Sequence, residues 1–174
     1  MLIYHVFHSG VILDRNTWII KDQTKSQIIY TVNTSDDNET DIYDASDTWV
    51  ASVRGQVSDD WAIKMKGSSG TEMIPLTATQ DEKVQFEYLG HKYYWVGIEK
   101  LVDEKGETVA TFQEAVLSIK KVGDLEIYST LEGYERLILT TFVAVWGYLN
   151  ELKQEKHREE LETQIWESGE EVWV

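Results

Sequence analysis

The residues with the most obvious chemical potential lie in Asp36–Asp37–Asn38–Glu39–Thr40–Asp41, followed by Asp44 and Asp47. Carboxylates gathered this closely can hold a hard cation such as calcium, which takes oxygen ligands. The spacing departs from the helix-loop-helix calcium loop, because Asp41 stands where glycine is required and Asp47 where a bidentate glutamate is expected. The expectation is a solvated hairpin tip, with Asp36, Asp37 and Asp41 as weak metal ligands at most. His5 and His8 are the next candidates, alone or with His91 or His157. On a strand their offset points the two rings to opposite faces, so they read as separate surface histidines. No nucleophile elbow, phosphate loop or paired catalytic carboxylate is present. With no cysteine there is no thiolate, disulfide or zinc-cysteine site either. The sequence reads as a protein without catalysis.

Aromatic residues carry the stronger signal. Among 7 Trp and 9 Tyr, the side chains of Trp49, Trp61, Tyr93 and Trp95 fall on neighbouring extended segments, and Trp166 and Trp173 lie near the carboxyl terminus. Aromatic pairs across strands are ordinary packing, contributing about 0.5–1.5 kcal/mol each beyond area burial. The same residues also suit a flat or lipid-like ligand, for which apolar walls with a few hydroxyls are the usual lining. A formal charge of −15, from 16 basic and 31 acidic residues, argues against nucleic acid and anionic lipid as partners.

Most of the chain reads as short strands separated by turns. Thr17–Trp18–Ile19–Ile20 and Gln27–Ile28–Ile29–Tyr30–Thr31–Val32 flank a polar connection over 22–26. Trp49, Ala51 and Val53 alternate with Thr48, Val50 and Ser52, and Trp61–Ala62–Ile63–Lys64–Met65–Lys66 alternates too, which marks half-buried strands. Val84, Phe86 and Tyr88 share a face before Leu89–Gly90 turns the chain into Lys92–Tyr93–Tyr94–Trp95–Val96–Gly97. Gly106 turns the next hairpin. Gly123–Asp124 reads as a further tight turn, between Val116–Leu117–Ser118–Ile119 and Leu125–Glu126–Ile127–Tyr128. About a dozen strands at this spacing predict a sandwich or a closed barrel.

After Gly133 the pattern becomes helical. Leu137, Ile138, Leu139, Phe142, Val143, Ala144, Val145, Trp146, Tyr148, Leu149 and Leu152 cover nearly the whole circumference of a helix. Such a helix must be buried on every side, and the axis of a barrel is the convenient place. Gly147, Ala144 and Thr140–Thr141 are expected to let strands approach it closely. The apolar run of about 13 residues is too short for a bilayer span, which needs roughly 20. Beyond Leu152 the helix turns polar, and Leu161, Ile165 and Trp166 offer an apolar side for docking on the barrel or on a second copy.

The chain resembles the tubby C-terminal-like superfamily, which includes the plant LURP-one-related proteins and the phospholipid scramblases, and within it a fungal family of unknown function. The likeness rests on Phe86–Glu87–Tyr88–Leu89–Gly90–His91–Lys92–Tyr93–Tyr94–Trp95, on Leu101–Val102–Asp103–Glu104–Lys105–Gly106–Glu107–Thr108–Val109–Ala110, on Gly123 to Ile127, and on the helix from Arg136 to Leu149. Asn16 to Ile20 and Trp61–Ala62–Ile63 fit the opening strands, so that residues 14–152 are covered. The resemblance implies a closed antiparallel barrel of twelve strands around a central hydrophobic helix. The basic cluster with which tubby domains bind phosphoinositide headgroups is not matched, since Lys64 with Lys66 and Lys120 with Lys121 stand as isolated pairs.

The sequence therefore predicts a mainly β fold, with a barrel over 1–152 around a buried C-terminal helix and a polar extension with an apolar tail over 153–174. The expected function is non-catalytic binding of a hydrophobic or aromatic small molecule (lipid, pigment or metabolite). Trp49, Trp61, Tyr93, Trp95, Trp166 and Trp173 would hold it at the barrel rim, the outer wall or a subunit boundary. The alternatives are a scaffold that associates through its tail, as in a homodimer, and an acidic-loop calcium binder. The expected setting is the cytoplasm, without an integral membrane segment.

Overall fold

The computed structural model describes residues 1–9, 17–35, 39–56, 59–67, 69–79, 83–116, 118, 120–128 and 134–168. These form twelve strands and a helix: β1 (Leu2–His8), β2 (Thr17–Lys21), β3 (Ile28–Thr34), β4 (Thr40–Asp44), β5 (Trp49–Gln56), β6 (Asp59–Gly67), β7 (Gly70–Ala78), β8 (Lys83–Tyr88), β9 (His91–Val96), β10 (Lys100–Asp103), β11 (Thr108–Glu114), β12 (Lys121–Ile127) and α1 (Tyr134–Ser168). Each strand pairs antiparallel with the next, and β1 closes the barrel against β12 in the register Leu2↔Ile127 to Val6↔Gly123.

The strands alternate as their sequences require. Val6, Ile20, Val32, Ile42, Ile63, Ile74, Val84, Phe86, Trp95, Leu101, Ala110, Phe112, Leu125 and Ile127 are buried and face inward. They enclose α1, whose Leu137, Ile138, Leu139, Phe142, Val143, Ala144 and Val145 are buried on all sides. Phe142 sits at the centre, with ring centroids 4.7 Å from Phe112, 6.1 Å from Trp95 and 6.0 Å from Trp146. The two buried threonine hydroxyls of the helix are satisfied. Thr140 Oγ1 donates to Arg136 O at 2.7 Å, and Thr141 Oγ1 donates to Ile138 O at 3.0 Å while accepting the Trp95 indole N–H at 3.0 Å. Among the described residues no helix is long and apolar enough to cross a membrane.

The meander gives the barrel two different mouths. Among the described residues, the connections at the lower mouth, where α1 begins, include tight turns, three of them built alike. Asp22, Asp44 and Asp103 each close a strand; their carbonyls accept the amides of Lys25, Asp47 and Gly106 at 2.9–3.0 Å, and these three residues have φ of 59°, 58° and 81°. Each aspartate carboxylate also accepts amides of its own turn, those of Ser26 and Gln27, of Ser46 and Thr48, and of Lys105 and Glu107. Leu89 and Gly90, with φ of 51° and 79°, supply the two positive angles of a primed hairpin turn.

Three sequence expectations are corrected. Of the strand expected over 116–119, Leu117 and Ile119 lie outside the described residues, while Val116, 86% exposed, and Ser118 are not in a strand, and β12 starts only at Lys121. Gly123–Asp124 is not a turn but lies inside β12, where the Phe112 ring approaches so closely that a Cβ on Gly123 would stand 2.3 Å from it. Gly147 does not admit a strand, because nothing among the described residues lies within 4 Å of where its Cβ would be.

Phe142→Ala is expected to cost about 3–5 kcal/mol in urea denaturation, as a large-to-small change at the barrel axis. Gly123→Ala is expected to cost about 1–3 kcal/mol by overpacking. Combined with Phe112→Leu, its cost should be smaller than the sum of the two single changes, because the ring that it strikes has been removed.

Candidate functional site

The expected ligand-binding aromatics do not converge on one place. Trp95 lies in the core at 0% exposure, held by Thr141 and packed on Phe142. Tyr93, near the lower mouth, stacks on Phe86 at 5.2 Å, and its hydroxyl donates to Tyr134 at 3.4 Å. Burial first, and then the bond with Tyr134, push the Tyr93 phenol well above its usual range. Tyr4 is pushed up to about 12, by burial and then by the charge of Glu135. Tyr88 meets Tyr134 edge-on at 5.4 Å. The phenols of Tyr93 and Tyr4 thus stay neutral, and the contacts of Tyr93 and Tyr88 with Tyr134 seat the start of α1. Trp49 is on the outer wall, opposite Tyr43 in the register, with Lys64 Nζ 5.7 Å from its ring. Trp166 belongs to α1, but its side chain lies outside the described residues, as does the whole of Trp173.

The upper mouth gathers a different set. Trp61, at the start of β6, lies 5.4 Å from Tyr148. Trp18, at the start of β2, meets Trp146 edge-on at 5.8 Å, and Phe112 meets the same indole at 5.3 Å. His8 stands edge-on to Trp18 at 6.3 Å. Unlike Trp95, the rings of Trp18, Trp146 and Tyr148 are only half-buried. Gly147 lies between the last two, exposed, with open space above it among the described residues. The missing side chain leaves a notch in the helix surface, and the two rings next to it in the chain point to different walls, Trp146 towards Trp18 and Phe112 and Tyr148 towards Trp61. Trp18, Trp146, Gly147 and Tyr148 were missing from the sequence-derived site. A usable signal existed: they mark the level at which the apolar circumference of the helix gives way to polar residues.

The acidic candidates are dispersed. Asp36 and Asp37 lie outside the described residues. Asp41 faces Arg54 Nη2 at 3.4 Å, and Glu39 also pairs with Arg54, so the guanidinium draws on both carboxylates. Asp44 lies at the other end of β4, where it caps the 44–48 turn. Among the described residues no three potential ligands stand together in a metal-binding arrangement.

A polar cluster occupies the outer wall beside the closing strand. His5, 8% exposed, bonds through Nδ1 to Asp124 Oδ1 and through Nε2 to Gln23 O at 3.2 Å. Lys121 Nζ donates to Asp124 Oδ2 at 2.6 Å. Burial pushes the Asp124 carboxyl up, but the bonds from Lys121 and His5 outweigh it and leave the group below its usual range.

A family model matches residues 13–149. The chain belongs to the family of unknown function DUF6593. The DUF6593 match takes in β2 to β12 and the buried part of α1, and leaves out β1, the strand that joins β2 to β12. No curated protein and no solved structure matches the chain.

The lowered Asp124 carboxyl fixes one pH response. Its stabilisation is complete above the unfolded-state value near about 4 and is lost as the pH falls through the lower folded-state value. Urea midpoints should therefore fall on acidification, and Asp124→Asn should flatten part of that fall while lowering stability near neutrality.

Proposed function

We propose that this DUF6593 chain is a non-catalytic binding protein that takes a flat aromatic or apolar small molecule at the upper mouth, against the Gly147 notch. The observation that carries this reading is the notch itself. A glycine inside an exposed stretch of helix costs about 0.8–1 kcal/mol relative to alanine. At Gly147 no described neighbour requires the missing side chain. A guest lying flat on the bare helix backbone at Gly147 would require it, and the half-buried aromatic rings of this mouth suit such a guest. The barrel interior is filled by α1, so the guest sits at the mouth and not in a lipocalin-like cavity.

A second reading is association of copies through the helix extension. In its favour, α1 runs about 16 residues past Leu152, roughly 24 Å of helix, carrying exposed charged side chains such as Lys153, Glu155 and Arg158. For kinship we propose the tubby-like superfamily; the closed twelve-strand meander around a C-terminal helix supports it. A cytoplasmic setting is part of the same proposal.

Native mass spectrometry of the protein purified from its natural source tests both functional readings. A bound small molecule that is lost in Gly147→Leu, with the fold intact by circular dichroism, is the expected result. Bare monomeric protein overturns both readings. Bare protein in an oligomer that falls to monomer on removal of 161–174 replaces the first with the second. Gly147→Ala is expected to raise stability by about 0.8–1 kcal/mol in thermal or urea unfolding.

A further inference from the structure

His5 lies on the outer wall of β1, with one ring nitrogen on Asp124 of β12 and the other on the Gln23 carbonyl in the β2–β3 turn. A backbone carbonyl can only accept. So can the Asp124 carboxylate, which is held ionised by Lys121 and by His5 itself. A neutral imidazole has a single N–H and can satisfy one of these oxygens. The doubly protonated ring satisfies both. On losing a proton, the ring keeps its bond to the anionic carboxylate, the stronger acceptor, and sets a nitrogen lone pair against the Gln23 oxygen. We infer that His5 is a protonation-dependent clasp that fastens the β2–β3 turn to β12 across the strand closing the barrel.

The charged groups around the ring are Asp124 and Lys121 from β12, Lys21 opposite it in the register of β2, and Asp22 at the start of the turn. The Asp22 carboxyl is held below its usual range, first by the Thr24 hydroxyl and then, against a small opposing effect of burial, by amides of its own turn. Both aspartates are therefore ionised through the range in which histidine titrates, and the clasp responds to the imidazole. The molecule carries its own control, because the 44–48 turn has the same aspartate-capped construction and joins β4 to β5, which do not pair with the strand that carries His5.

Amide hydrogen exchange on the full chain, at about pH 5.5 and about pH 8, tests this. After correction for intrinsic rates, protection of the Lys25 amide should fall about tenfold at the higher pH, while the Asp47 amide keeps its protection. In His5→Gln the Lys25 difference should vanish. Imidazole 15N shifts of the unmodified protein provide a readout that needs no variant. Both ring nitrogens should carry protons at the lower pH, and Nε2 should lose its proton with the same midpoint as the Lys25 protection. An imidazole protonated on one nitrogen at both pH values overturns the proposal. So does a Lys25 response that persists in His5→Gln or is matched by Asp47.

Discussion

A helix with apolar side chains on every face cannot lie against a surface, because one flank would remain in water. Here the conflict is resolved by wrapping. Leu137 to Val145 fill the barrel axis, and the inward residues of twelve strands form the sheath. The core is close-packed with aromatic rings, and its buried polar atoms are placed where they hold register. The Trp95 indole on Thr141 fixes both the rotation and the height of α1 in the barrel. With this axis occupied by α1, the binding site we propose lies at a mouth of the barrel and not along its axis.

The two mouths differ in character for reasons visible in the chain. At the lower mouth, three aspartate-capped turns and the Leu89–Gly90 turn hold the hairpins tightly, and buried phenols close around Tyr134. At the upper mouth the helix departs, so the aromatic side chains there are shared between the strand ends and a helix surface that no longer faces a wall. Trp18, Trp146 and Tyr148 are half-buried for that reason. The proposed ligand site thus follows from where the helix leaves its sheath.

Much of the architecture was legible in the residues. Alternation at Trp61, Ile63 and Met65 or at Val84 and Phe86 marks strands directly, and the circumference of apolar residues from Leu137 onward marks the buried helix. The glycines were less readable. Gly123 resembles a turn residue beside Asp124, yet it exists to admit the Phe112 ring, a contact between strands that no local pattern reveals. Gly147 resembles a packing glycine and faces open space. β1 has no local pattern that marks it as the closing strand, because its partners β2 and β12 are set by barrel closure. The site was the least legible part. Abundant aromatics suggested binding, but which rings are consumed by the core depends on the register between α1 and the strands.

The order of elements along the chain also constrains how the protein is made. α1 follows every strand, so during synthesis the strand residues emerge before the residues that fill the barrel. A barrel already joined between β1 and β12 could not readily admit a helix of this girth. The nascent sheet must therefore stay open, with its greasy concave side uncovered, until the segment around Phe142 has left the ribosome. Only then can the first strand be stitched to the last. The barrel is consequently most in need of chaperone shelter in the interval after its last strand has emerged and before its helix has.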